Sequence, residues 1–251
     1  RTCATKAGAV KRTGKLGTDA SCLGKEATHG GIGACMRPED TFAPSYREYG
    51  AQFMRGVQPR EVLLYWGGDE RGNDFAAARH DFSWCVPIST QCLHAAGAAL
   101  AFKLRGEKRI AVSTCGDGGS SKTDFYAALN SGGAYELPLV LCVINNGWAI
   151  SVPRKAQTGA DTLAQKGLAG GLHCLQVDGN DLVAVLEAMR LTPDASPSTV
   201  HRRLKQLPQK GLILLRADES DSRVRIIEPT SAADAWFAKP GQCLNVAPRD
   251  G

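Results

Sequence analysis

Gly116-Asp117-Gly118-Gly119-Ser120-Ser121-Lys122-Thr123 joins a carboxylate to glycines. Glycines let backbone N–H groups approach an anion, and a helix N-terminus just beyond adds partial positive charge. Phosphate binding is the first chemistry to weigh, beside an ordinary glycine-rich turn. A nucleotide P-loop requires glycine immediately before Lys-Ser/Thr, and that position is Ser121. A dinucleotide loop requires a third glycine where Ser121 stands, and an acid at the end of the next strand, where Asn145-Asn146 stand instead. A magnesium diphosphate asks for hard oxygens shared among phosphate, protein and water. Asp117 offers a carboxylate, Asn146 an amide oxygen and Trp148 a backbone carbonyl. About thirty residues, one βαβ crossover, separate Asp117 from Asn146 and bring both to the same sheet edge. In the alternative, Asn145-Asn146 only turns the chain.

The elements that must position these groups are readable as alternating strands and helices. Ile110–Cys115 is a β-favouring run, Thr123–Tyr135 is helical, and Leu139–Ile144 is an uninterrupted apolar strand. Leu172–Val177 reads as a third strand, and Asn180-Asp181 as the cap of a helix running to Arg190. Upstream, residues 21–36 carry helical spacing with Ser21 as a candidate cap. Tyr46 to Val57 is a second segment, and a short helix follows Pro59. Gly67 through Asp81 is polar and reads as a surface loop. Residues 91–105 form an alanine-rich helix that Gly106 can end in a left-handed cap. Apolar strands buried on both faces and separated by helices predict an α/β fold, a parallel sheet flanked by helices. Gly132-Gly133 falls inside the helix after the phosphate turn, at up to about 1 kcal/mol each relative to alanine.

Composition narrows the function class. A net charge of +5 on 251 residues is too small and too evenly spread to argue for nucleic acid. The longest apolar run, Leu139–Ile144, is far short of a membrane span, so no membrane partner is expected. Nine cysteines form no CxxC pair and read as buried thiols of a reducing compartment, and the five histidines form no HExxH. The chain opens at Arg1 with no signal-peptide pattern and is expected to be a processed product or a fragment.

A GDG followed by NN at this separation is the thiamine diphosphate pattern. With it stand KRTGKLGTDASCLGKEATHGGIG (11–33), PSYREYGAQFMRGV (44–57), VPISTQCLHAAGAALAFKLRG (86–106), LPLVLCVINNGWAISVP (137–153) and LQVDGNDLVAVLEA (175–188). On these motifs the chain resembles the α subunit of the thiamine-dependent 2-oxo acid dehydrogenase component, over most of residues 1–190. The resemblance implies a thiamine diphosphate-binding fold, with thiamine diphosphate and Mg as cofactors. Asp117, Asn146 and the Trp148 carbonyl would be metal ligands, Gly118 and Gly119 backbone contacts to the diphosphate, and Tyr46 with Arg47 a further diphosphate pair. Val86 and Ile88 would line the cofactor rings; without the resemblance they read as core. No catalytic residue is expected in this chain, because the family's activating glutamate lies on a β subunit. The implied partners are that β subunit, in an α₂β₂ heterotetramer, and a lipoyl-bearing acyltransferase that receives the acyl unit. Pyruvate is the expected substrate, with a branched-chain 2-oxo acid as the alternative, and the expected location is cytoplasmic, with a mitochondrial matrix as the other.

The chain departs from the family at Asp19, where an aromatic is usual, and at Lys122-Thr123, which bring a cation near the phosphate loop in place of an acid-glycine pair. The family's histidine-bearing loop is not found after Arg190. Residues 1–190 are therefore expected to form the cofactor domain, incomplete at its C-terminal end. Residues 191–251, with half of the twelve prolines and only Gly211–Leu215 resembling a strand, are expected as an atypical, poorly ordered tail. An inactive cofactor-binding module would also fit.

Overall fold

The computed structural model describes residues 2–14, 16–191, 213–217 and 225–229. The chain divides into two compact units, Arg1–Pro193 and Asp194–Gly251. In the first, β1 (Thr41–Ala43), β2 (Ala111–Gly116) and β3 (Leu139–Ile144) form a parallel sheet in the order β1-β2-β3. Thr41 pairs with Ala111, and Gly116 with Ile144. Side chains alternate across the sheet as a two-residue period requires. Ala43, Ala111 and Cys115 face a core built with α5 (Thr90–Arg105) and α6 (Thr123–Ala134). Phe42, Val112 and Val140 face the other core, with α2 (Glu26–Cys35), which follows the opening helix α1 (Thr2–Arg12), and with α8 (Leu182–Leu191). The α/β expectation holds.

Local signals set several helix boundaries. In α4 (Pro59–Trp66), Pro59 opens the helix and the Glu61 carboxylate accepts from the Gln58 N–H at 2.6 Å, a capping box. In α5 the Glu107 N–H reaches back to Phe102 O at 2.9 Å past Gly106, whose φ is 66°. Asp181 accepts from the N–H groups of Val183 and Ala184 at 2.8 and 3.2 Å, so it caps α8 as expected.

Several expectations fail for identifiable reasons. Ser21 does not cap α2: Gly24, at φ 80°, makes a turn with Lys25 N–H bonded to Cys22 O, and the helix begins only at Glu26. The segment from Tyr46 condenses to α3 (Tyr49–Met54), leaving Tyr46 and Arg47 in the loop before it. Leu172–Val177 is not a strand. Here α7 (Ala164–Ala169) ends in a Schellman motif, Gly171 at φ 76° and Leu172 N–H bonded to Gly167 O at 3.0 Å, which folds the segment back onto its own helix. The third strand is instead β1, three residues before Pro44 and too short to show a period in sequence. In consequence β3 is mostly half-buried, whereas β1 and the central β2 are buried on both faces.

Residues 67–81 do form a connection, but not a purely superficial one. Phe75 and Ala78 are buried, and Arg55 grips the buried side chain of Asp81 with Nε and Nη2 at 2.6 Å each. Gly132-Gly133 does not break α6. A Cβ on Gly133 would lie 1.7 Å from Gly170 O, so the glycine admits the end of α7 against α6. In the second unit, β6 (Ile213–Ala217) pairs antiparallel with β7 (Arg225–Pro229). The first overlaps the anticipated Gly211–Leu215, and the second was not anticipated. The rest of the anticipated tail lies outside the described residues. Among the described residues no helix is long and apolar enough to cross a membrane.

Candidate functional site

The end of β2 carries the chain into the site. Asp117 follows Gly116, a short 3₁₀ turn spans Gly119–Ser121, and α6 begins at Thr123. The register that pairs Gly116 with Ile144 sets Asp117 beside Asn145-Asn146 at the same C-terminal edge of the sheet. Asp117 is only 2% exposed, and its Oδ2 is buried without a hydrogen-bond partner. An unpartnered buried carboxylate oxygen is costly unless something absent from the protein itself satisfies it.

The two glycines that follow Asp117 are packed, not loose. A Cβ on Gly118 would meet Ala149 Cβ at 2.4 Å, and one on Gly119 would meet Ser89 Oγ at 2.6 Å and Ile88 Cγ2 at 3.4 Å. Ser89, itself at φ 68°, donates to Gly119 O at 2.8 Å. Ala149 belongs to a small hairpin of β4 (Trp148–Ala149) and β5 (Val152–Pro153), whose tip, Ile150, has φ 56° and is fully exposed.

Asn145 and Asn146 turn the chain into that hairpin: their Oδ1 atoms accept from Gly147 N–H at 3.0 Å and Trp148 N–H at 3.1 Å. Turning and ligating are compatible, since an amide oxygen has a second lone pair. Trp148 is exposed. On the opposite side, Ser45 N–H bonds to Thr114 Oγ1 at 3.3 Å, which anchors the Tyr46-Arg47 loop to β2. Arg47 Nη1 donates to Ser21 O at 3.0 Å and its guanidinium lies over the Tyr46 ring. Ile88 abuts the turn; Val86, two residues earlier, is half exposed, so neither is the core residue that its type alone suggests.

Charge accumulates around Asp117 from residues that spacing does not reveal. Burial pushes the Lys25 ammonium below its ordinary pKa, while Glu48 opposes that shift; Arg47 and Asp117 also act on it, so the four groups share one neighbourhood. Glu48, nearly fully buried, accepts from Ser45 Oγ at 2.6 Å. His29, behind them, is held below its ordinary pKa by burial against the pull of Glu48. Lys122, the cation anticipated near the loop, is exposed; the buried cation is Lys166, whose Nζ donates to Ser120 O at 2.8 Å and Ser120 Oγ at 3.0 Å. A run of Ser-Ser after Gly-Gly is the sole sequence hint of acceptors there.

Among the described residues no three His, Cys, Asp or Glu side chains gather as a metal cluster. The oxygen set at this edge, one carboxylate with an amide and backbone carbonyls, suits magnesium, which takes few protein ligands beside phosphate and water. A cavity of about 600 Å³ lined by Tyr65, Asn73, Arg79 and Trp84 does not include the Asp117 turn. The orphaned oxygen and the packed glycines, not cavity size, mark the site.

A family model described as Dehydrogenase E1 component matches residues 1–196. Pyruvate dehydrogenase E1 component subunit alpha of Acholeplasma laidlawii is 38% identical over 189 residues, 75% of this chain and 55% of that protein. The same subunit of Staphylococcus aureus (strain Mu50) is 38% identical over 185 residues, 74% of this chain and 50% of that one. The 3-methyl-2-oxobutanoate dehydrogenase subunit alpha of Mycobacterium tuberculosis is also 38% identical, over 72% of this chain and 49% of its own length. The chain thus spans about half the length of these relatives. A solved structure from Mycobacterium smegmatis, described as a thiamin diphosphate-dependent enzyme, overlaps 68% of this chain and 29% of its own with a TM-score of 0.47 and 17% identity, a likeness too slight to argue from.

Proposed function

This chain belongs to the dehydrogenase E1 component family, and on that premise we propose that it is the cofactor-holding α part of a pyruvate dehydrogenase. The observation that carries the reading is the buried Asp117 Oδ2, left without a partner just before two tightly packed glycines. Asp117, Asn146 and the Trp148 carbonyl would hold magnesium. Gly118 and Gly119 would offer backbone N–H groups to the diphosphate, with Tyr46 and Arg47 reaching it from the β1 side. Ile88 and Val86 would border the cofactor rings. When bound, thiamine diphosphate supplies the electron sink for decarboxylating a 2-oxo acid. The chain's own residues orient and electrostatically anchor it: Ser89 holds the Gly119 carbonyl, and Lys25 with Arg47 provides positive charge for an anionic ligand.

A β subunit and a lipoyl-bearing acyltransferase complete the proposed assembly. Exposed Ile88, Trp148, Ile150 and Val152 border the same edge and fit coverage by another subunit. A branched-chain 2-oxo acid substrate is the second reading, favoured by the equal 38% identity of the mycobacterial relative.

Calorimetric titration of the 251-residue chain with thiamine diphosphate, with and without Mg²⁺, tests the site. Binding is expected only with the metal, and Asp117→Ala is expected to abolish it while circular dichroism stays unchanged. Tight binding of ATP or NAD in place of the thiamine compound would discard the reading. Decarboxylation assays with pyruvate and 3-methyl-2-oxobutanoate, after co-expression with a β subunit, decide between the substrates.

A further inference from the structure

Lysine is rarely buried without a counter-charge. Lys166, in α7, is 6% exposed, and its ammonium contacts only uncharged groups: Ser120 O at 2.8 Å, Ser120 Oγ at 3.0 Å, Ser121 Oγ at 3.5 Å and the face of Tyr126. Among the described residues no carboxylate lies within ion-pair distance of it. Neutral acceptors satisfy the N–H groups but leave a full positive charge in a poorly solvated place. That charge lies directly behind the turn whose first residue carries the orphaned Asp117 oxygen.

The hydrogen bonds have a fixed sense. An ammonium can only donate, so Ser120 Oγ accepts from Lys166 and spends its own proton on Asp117 O, 2.6 Å away. Nζ, Ser120 Oγ and the Asp117 carbonyl form a relay that holds the peptide between Asp117 and Gly118. The same ammonium takes the Ser120 carbonyl, so the turn is gripped at two points. A magnesium diphosphate stays anionic after Asp117 joins it, and a cation screened from water acts on it more strongly than one at the surface.

We propose that Lys166 is a positioning residue for the metal–diphosphate site: it braces the Asp117–Ser121 turn from behind and supplies the positive potential that favours a diphosphate. This rests on the proposed cofactor site and adds to it a residue from a remote helix. The test compares Lys166→Met and Lys166→Arg in the 251-residue chain. Affinity for thiamine diphosphate and for thiamine monophosphate at fixed Mg²⁺, amide exchange over Gly118–Lys122, and the unliganded unfolding midpoint are measured together. Lys166→Met should weaken diphosphate binding by about tenfold or more. It should also narrow the preference over the monophosphate and speed exchange in the turn, with the unfolding midpoint unchanged or higher because an unpaired buried charge has gone. Lys166→Arg should restore much of the affinity.

Wild-type affinity and exchange in Lys166→Met, while the parent chain binds, would overturn the role of Lys166 and leave the cofactor reading standing. A parent chain that takes up no thiamine diphosphate with Mg²⁺ would overturn both. Should Lys166→Met fail to fold, Ser120→Ala cuts the relay alone; unaltered affinity in that variant also overturns the proposal.

Discussion

Two aspartates, Asp81 and Asp117, both hide their side chains from solvent and differ in how those side chains are satisfied. Asp81 meets the Arg55 fork with both oxygens at 2.6 Å and also accepts from Phe42 N–H at 3.0 Å, so its charge is matched and its lone pairs are used. Arg55 in turn donates to Arg37 O and Asp40 O, which ties the chain before β1 to the loop after α4. Asp117 has a carboxylate oxygen with no partner, and a buried cation reaches only its backbone carbonyl, through one hydroxyl. Burial is common to both. What separates the structural carboxylate from the one proposed to hold a ligand is the unsatisfied oxygen.

Removing Asp81 should do the most damage. Asp81→Ala leaves the Arg55 guanidinium buried and unmatched, at about 3–5 kcal/mol, measurable by urea unfolding. A loss under about 1 kcal/mol would erase the distinction between the two sites. Next comes Gly133→Ala, whose new methyl group would press on Gly170 O; a cost of about 1–3 kcal/mol is expected in the same assay. Asp117→Asn should fall at the other extreme, within about 1 kcal/mol of the parent in either direction, although metal-dependent binding is lost.

The smallest effect sharpens the comparison through pH. His29 is a third buried group with an orphaned atom, Nε2, and burial lowers its pKa. As pH falls below about 6.5, the unfolded chain takes up the proton before the folded one does, so folding stability declines through that window. It levels once the pH is below the folded value. His29→Gln should flatten this part of the stability–pH curve, and an unaltered curve would remove His29 from the account.

Legibility followed the range of the interaction. Asp117, Gly118 and Asn146 could be read because a crossover between two apolar strands leaves little choice about which edge their ends reach. Gly106 and Asp181 announced their helix ends because capping uses neighbours within a few residues. Leu172–Val177 was misread because its apolar residues look strand-like while Gly170-Gly171 redirects the chain, and nothing in the run itself reports that. The Lys166–Ser120 contact spans 46 residues and Arg55–Asp81 spans 26, so neither leaves a local pattern. Ser89 was hidden for another reason: its φ of 68° is imposed by packing against Gly119, not by its own type.

Ile150 carries a consequence of its own. A β-branched residue in left-handed backbone costs roughly 1–2 kcal/mol, and this one lies bare at a hairpin tip, so it does nothing for the solitary chain. Glycine there would relax the bend and make the lone molecule sturdier. It would also strip the most protruding greasy knob from the rim that a neighbouring subunit is proposed to cover. At that one side chain, robustness alone and fitness for company pull in opposite directions.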